Sequence, residues 1–362
     1  MVVVNWTLTE GAWEVTEVVE VTDERVYFLS TETSPLRRNL YSVKLNGKDK
    51  RRITQRDGMY RIAPSSGMRY FISYFSSADT PQIVTLHRAN GEQVRVLEDN
   101  ADYVKATAEL PRKEFFTFTT ERGDRLNGYM VRPSDFDKMK KYPVLMTQYS
   151  GPGSQSVADS WVLGWEDAMV QNGYVVVCVD GRGTGFRGEE FKKLTYGQLG
   201  RLEVEDQIST ARYLQTLSWV DAERIGIYGW SYGGFMALGA ALRGGDLFKM
   251  AIAVAPVTSW RYYDSVYTEV YNGLPQQNAA GYDDNSPINF AEGLSDRTSL
   301  LIIHGTGDDN VHFQNTVEMV RALNRAGKQF DLAIYPDDNH SMVPAGRIHV
   351  RERMVRYTLE NL

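Results

Sequence analysis

The chain contains a single cysteine, Cys178. One sulfur can build neither an intrachain disulfide framework nor a cysteine-based metal cluster. It lies in the apolar run Val175–Val179, where a lone Cys behaves as a small core hydrophobe and leaves the redox compartment open. Histidine is sparse too. The five in the chain are scattered, so no metal-ligand cluster and no cofactor are expected. No apolar run reaches the length of about 20 residues that a membrane-spanning helix needs. An excess of basic charge is also lacking: 40 Lys and Arg stand against 46 Asp and Glu, a net charge of −6, which argues against a nucleic-acid partner. The first residues, Met1 to Trp6, carry neither the basic start nor the apolar stretch of a signal peptide. They read as the middle of a strand, so a chain cut from something longer is expected.

What remains is an ordinary soluble composition, 42% hydrophobic and 24% charged over 362 residues, with length for roughly two domains. The 21 tyrosines suit β-sheet at least as well as a binding surface. Residues 1–108 read as all-β. Alternating runs cover Glu14–Val21, Arg25–Ser30, Asn39–Leu45, Tyr70–Tyr74, Gln82–His87 and Gln93–Leu97. Asn46-Gly47 and Asn90-Gly91 supply tight hairpin turns. The segments Asn39–Gly47 and Gln82–Gly91 echo one another with their glycines 44 positions apart, a period seen in propeller blades. About two blades are expected here. Two cannot close a ring of typically four to eight, and a small β-sandwich is the alternative.

From residue 109 to 362 the period changes. Apolar strands at 143–148, 175–179, 224–228, 249–254, 299–303 and 330–335 alternate with helices near 160–171, 202–217, 233–242, 313–326 and 345–360. Fully apolar short strands between helices predict an α/β fold with a mostly parallel, doubly wound sheet. Its site is expected at the carboxyl ends of the strands.

Gly229-Trp230-Ser231-Tyr232-Gly233 matches G-x-S-x-G between a strand, Arg224–Tyr228, and an Ala-rich helical stretch. That is the setting of a nucleophile elbow in an α/β-hydrolase. Side chains at Gly229 and Gly233 would collide in so tight a turn. A serine hydroxyl needs a base. His87 lies in the β region, His349 within the last helix, His304 at the end of a strand and His312 at a helix start. His340 is in the loop Pro336–His340, which leaves the carboxyl edge of the sheet, and is the expected base. The orienting acid should fall between Ser231 and His340 in chain order. Asp308 and Asp309 both qualify, and spacing barely separates them. The backbone N–H of Tyr232 is one oxyanion donor by geometry. Tyr149 or its neighbours, after the strand Val144–Gln148, can furnish the second.

The segments Gly229–Gly234, His304–Gln314, Ala255–Glu269, Lys141–Gln155 and Leu202–Gln207 closely resemble the dipeptidyl peptidase IV type of the prolyl oligopeptidase family. The resemblance runs over the whole hydrolase region and, more weakly, into Gly11–Val15. It implies an α/β-hydrolase domain preceded by the last blades of a β-propeller. It selects Asp308 as the triad acid and makes the Tyr149 hydroxyl the second oxyanion donor. It places Tyr232, Val257, Trp260, Tyr263, Tyr267 and Val311 around an apolar pocket for proline, with Asn310 near the carbonyl of the residue before that proline. The implied activity is a serine-type dipeptidyl peptidase acting on peptides with proline or alanine in second position. A homodimer and a periplasmic or extracellular location are also implied. The relatives carry a full propeller whose paired glutamates hold the substrate amino terminus. No matching pair is present; Glu189-Glu190 lies in the hydrolase region. Release of tripeptides, general esterase activity, and an inactive fragment or interaction module are the alternatives.

Overall fold

The computed structural model describes residues 7–362. The strand expected at Met1–Trp6 lies outside the described residues. The chain divides into two compact units. One comprises residues up to 113 with 158–162 and 186–189, and the other the rest.

The first unit contains two four-stranded antiparallel sheets. Strands β1 (Val15–Val21), β2 (Arg25–Ser30), β3 (Asn39–Lys44) and β4 (Arg51–Arg52) form one in the order β1-β2-β3-β4. Strands β5 (Met59–Pro64), β6 (Tyr70–Ser77), β7 (Thr80–Arg88) and β8 (Gln93–Glu98) form the other in the order β5-β6-β7-β8. A short helix α1 (Ala101–Ala106) follows. The echo in the sequence is structural. Asn46-Gly47 and Asn90-Gly91 each follow the third strand of their sheet, with Gly47 at φ 74° and Gly91 at φ 92°. Positive φ is the conformation that glycine adopts without a Cβ penalty. Tyr27, Leu29 and Leu40 from one sheet share a core with Tyr60, Ile62 and Phe71 from the other. Strands β4 and β5 escape the sequence reading. The first is two residues long, and the second follows a loop of charged residues that masks its Tyr60/Ile62 alternation.

The second unit adds β9 (Lys113–Thr119), β10 (Arg125–Val131), β11 (Tyr142–Thr147), β12 (Val175–Asp180), β13 (Val220–Trp230), β14 (Met250–Val254), β15 (Ser299–Gly305) and β16 (Asp331–Tyr335). Its helices are α2 (Glu166–Gln171), α3 (Glu189–Lys193), α4 (Leu202–Gln215), α5 (Tyr232–Arg243), α6 (Ser265–Asn272), α7 (Ala279–Asp283), α8 (Gln314–Arg325) and α9 (Pro344–Asn361). The strands make one eight-stranded sheet in the order β16-β15-β14-β13-β11-β12-β10-β9. From β16 through β13 and β11 to β12 every pairing is parallel, and β10 joins antiparallel. Every residue of β11, β12 and β14 is buried, as parallel strands covered on both faces must be.

Helix α5 shows why the pattern works. Every residue from Tyr232 to Leu242 is buried, so it is apolar all round and belongs to the interior. Burying Phe235, Met236 and Leu238 contributes about 2 kcal/mol each. Helix α8 is the opposite case. Its buried Asn315, Met319 and Leu323 form one stripe at i, i+4, i+8, with Thr316 buried beside it, and the opposite face is exposed. The helix expected near 160–171 is shorter than the pattern suggested. Residues 161–165 are not helical; Gly164 there donates its N–H to the Asp167 side chain, and α2 starts only at Glu166. The pairs β9 and β10, which carry Phe116, Phe118 and Leu126, were also missed.

The order places a switch point between β11 and β13. The chain leaves β11 toward β12 on one side and later returns to β13 on the other. Ligands bind at the carboxyl ends of strands at such a point. Tyr149 follows β11 and Ser231 follows β13, so both stand at this rim.

Candidate active site

Ser231 occupies the turn between β13 and α5 at φ 61°, ψ −118°. A non-glycine residue held there stores about 1–3 kcal/mol of backbone strain. Its surroundings fix it. Its N–H donates to the Val254 carbonyl of β14 at 2.8 Å, and its carbonyl accepts the Phe235 N–H at 3.0 Å. A methyl at Gly229 would overlap the Gly233 carbonyl, and one at Gly233 would lie 2.6 Å from the Gln148 carbonyl. The Gln148 side chain closes the arrangement by donating to the Gly233 carbonyl at 2.9 Å. The Tyr232 N–H is in the first turn of α5, where amides have no intrahelical acceptor.

Asp308 follows β15 and His340 follows β16. His340 Nδ1 lies 2.7 Å from Asp308 Oδ2. The other carboxylate oxygen, Oδ1, accepts the N–H groups of Asn310 at 3.0 Å and Val311 at 2.9 Å. Burial pushes the Asp308 carboxyl up, but hydrogen bonds from His304 and His340 outweigh it and hold the acid well below the usual carboxylate range. Asp308 is therefore an anion that accepts the Nδ1 proton of His340, leaving the Nε2 lone pair for another proton. The His340 loop is tied to the elbow: Trp230, the residue before Ser231, donates its indole N–H to the His340 carbonyl at 3.0 Å. Asp337 and Asp338 brace the same loop. Asp337 N donates to Thr306 Oγ1 at 2.9 Å, and Asp338 Oδ1 accepts from Val343 N at 2.9 Å. Asp309 is exposed, while Asp308 is buried.

The aromatic residues converge beside the elbow. Tyr149 and Tyr232 have ring centroids 6.0 Å apart, and Tyr232 is 5.4 Å from Trp260. Trp260 lies 6.1 Å from Tyr263 and 6.2 Å from Tyr267. Tyr232, Val257, Trp260 and Val311 are nearly fully buried, while Tyr263 and Tyr267 are half-buried. Tyr263 donates its hydroxyl to Asn310 Oδ1 at 2.8 Å. Asp264 caps α6 by accepting the Tyr267 N–H at 2.7 Å, and Thr258 is pinned to α8 through Asn315 Oδ1 at 2.9 Å. Burial raises the Tyr149 phenol above its ordinary value and pushes the Tyr263 phenol to about 12. Both rings keep their protons and can donate.

Three further residues of this site are given no role by the sequence. Glu203 is fully buried under Tyr232, whose hydroxyl donates to Glu203 Oε1 at 2.7 Å. Burial raises this acid from 4.5 to about 7. Tyr271 packs against Tyr267 with its ring tilted and the centroids 4.8 Å apart, one helical turn on; the i, i+4 spacing of the two tyrosines is its only trace in the sequence. His304, set aside as a base for its place at the end of β15, touches Asp308 instead.

Residues 161–362 match the prolyl oligopeptidase family, which is more than half of the chain. The chain belongs to the prolyl oligopeptidase family. Residues 4–82 match the dipeptidyl peptidase IV N-terminal region. Among solved structures, dipeptidyl peptidase 4 of Porphyromonas gingivalis superposes with a TM-score of 0.95 at 44% identity, over 98% of this chain and 51% of that one. The chain is 40% identical to a "probable dipeptidyl-aminopeptidase B" of Sclerotinia sclerotiorum over 98% of its length and 39% of that protein. A protein of the same name from Trichophyton verrucosum is 41% identical over 92% of this chain and 38% of its own length. The chain thus spans about two fifths of the length of the curated relatives it matches. Its hydrolase domain is that of the prolyl oligopeptidase family, and its N-terminal part is the β-rich segment that accompanies it.

Proposed function

We propose that this chain carries the catalytic site of a serine peptidase that releases dipeptides by cleaving after a proline, or an alanine, in second position. The observation that carries the reading is the 2.7 Å bond from His340 Nδ1 to Asp308 Oδ2, made at the rim where Ser231 is held in its strained turn. Ser231 Oγ attacks the scissile carbonyl as His340 Nε2 takes its proton. Asp308 stabilises the imidazolium, which then protonates the departing amine, and water completes hydrolysis of the acyl-enzyme by the same route. The Tyr232 N–H and the Tyr149 hydroxyl stabilise the oxyanion. Proline offers no N–H to recognise, so a pocket must select its ring by shape. The aromatic rings of Trp260, Tyr263 and Tyr267 beside Val257 and Val311 suit that ring, and Asn310 would receive the preceding carbonyl. Pairing of two copies through α9, which leaves Ile348 and Leu359 exposed, is part of the same proposal.

The test is hydrolysis of Ala-Pro and Gly-Pro p-nitroanilides beside a simple p-nitrophenyl ester, with fluorophosphonate labelling of the serine. Turnover of the amides and labelling are expected, and Ser231→Ala should abolish labelling and lower kcat by about 10⁵–10⁶-fold. Turnover of the ester alone would mark a general esterase. Absence of labelling in the unaltered chain would sink the catalytic reading.

A further inference from the structure

His304 is a fully buried imidazole with three polar neighbours. Nε2 lies 2.8 Å from the Val311 carbonyl oxygen and 3.2 Å from Asp308 Oδ2, and Nδ1 lies 2.7 Å from Thr316 Oγ1. A carbonyl oxygen can only accept, so Nε2 carries hydrogen. The same hydrogen is shared with the carboxylate. The lone pair of Nδ1 then accepts the Thr316 hydroxyl. The neutral Nε2–H tautomer satisfies every contact, whereas the other would set a lone pair against a carbonyl and an anion. Phe313 packs edge-on against the ring at 5.5 Å. The titratable group facing it is Asp308 and, across that carboxylate, His340.

Asp308 Oδ2 therefore receives two imidazole N–H groups, from His340 at 2.7 Å and from His304 at 3.2 Å. We propose that His304 is a positioning residue of the active site, a second histidine behind the acid that fixes the Asp308 carboxylate and adjusts its basicity toward His340. This rests on the reading of Ser231, His340 and Asp308 as the catalytic triad. The division of the His304 hydrogen gives it a specific capacity. When His340 becomes an imidazolium, its own bond to Oδ2 tightens. The His304 N–H can then shift its weight to the Val311 carbonyl without leaving any buried group unpaired. When the charge on His340 is discharged, the carboxylate regains the second donor. Sequence reasoning passes over such a residue because its role lies in the i, i+4 pairing with Asp308 across a loop and not in any nucleophile motif.

The measurement is the rate of fluorophosphonate labelling of Ser231 against pH, in the whole chain. That rate reads the protonation of His340 whatever peptide the enzyme prefers. His304→Asn, too short to reach Oδ2, should slow labelling by about ten- to a hundred-fold and move the acid limb upward by about half to one pH unit, because an acid that has lost a donor is more basic. His304→Gln can place an N–H near the Nε2 position and an oxygen near Thr316, and should return to within about three-fold of wild type with the limb restored. Thr316→Val keeps the ring but removes the hydroxyl that seats Nδ1 and so loosens the hold of the ring on Asp308, and should move the limb in the same direction by less. It decides the matter if His304→Asn does not fold. A wild-type limb in Thr316→Val and His304→Asn overturns the proposal, as does an equal loss in the Asn and Gln variants with no movement of the limb. Failure of the unaltered chain to label would instead reject the triad itself.

Discussion

Tyr149 combines two properties that an oxyanion donor requires. It stands after β11 at the switch point with its ring partly exposed, and its phenol, raised above the ordinary value by partial desolvation, carries its proton at neutral pH. A hydroxyl that engages the substrate oxygen only once charge develops there should affect turnover more than binding. Tyr149→Phe is expected to lower kcat for an Ala-Pro anilide by about 10²–10³-fold while KM changes little, measured by steady-state kinetics. A rise in KM at constant kcat would show that Tyr149 binds the ground state instead. At the same scale, Asp308 is distinguished from Asp309 by burial and by two backbone donors on its second oxygen. That distinction was invisible in an Asp-Asp pair whose spacing served either residue. It appears only once the loop is folded and one carboxylate points inward.

The elbow is the element on which the site depends, and two glycines set its tolerance. In Gly233→Ala the new methyl meets the Gln148 carbonyl at 2.6 Å, a backbone atom that cannot swing aside. The expected result is a loss of more than about 2 kcal/mol in denaturant unfolding, together with slower labelling of Ser231. Unchanged stability would mean that the β11 end yields easily. Elements of this kind were legible because several signals agreed. A buried strand, a Gly-x-Ser-x-Gly turn and an apolar helix in succession leave few other structures open to the chain. The mostly apolar β11, β12, β14 and β15 are legible for the same reason. The misses share a cause as well. β5, β9 and β10 mix charged and apolar residues, so a half-covered strand is hard to tell from a loop by pattern alone. α6, which carries Tyr267 and Tyr271, begins at an Asp cap, and the i, i+4 spacing of those two tyrosines is too short a signal to define a helix. The expectation of a pocket there therefore rests on family resemblance, while the clustering of those aromatic rings comes from the fold.

Taken whole, the molecule has a separate core in each compact unit, and within the larger one a buried acid makes stability depend on pH. Glu203 faces Tyr232 and Gly200 by hydrogen bonds and lies near Asp206, Arg243 and Tyr267. Its proton is bound more tightly in the folded state, about 7 against 4.5. The stabilisation is thus complete below about 4.5 and is lost as pH rises through about 7. Unfolding of the wild type and Glu203→Gln at pH 5 and pH 8 should show the wild type losing on the order of 3 kcal/mol more than the variant over that interval. Parallel pH dependences would refute it. The central sheet has one further consequence. Cys178 lies in β12 with 1% of its surface accessible, flanked by parallel β11 and antiparallel β10. Its side chain projects from a face of the sheet, so reagents that alkylate sulfur can reach it only when the layer packed on that face opens. The protein thus carries its own clock: the pace at which the thiol is consumed in native buffer counts how often the cover of the hydrolase sheet lifts.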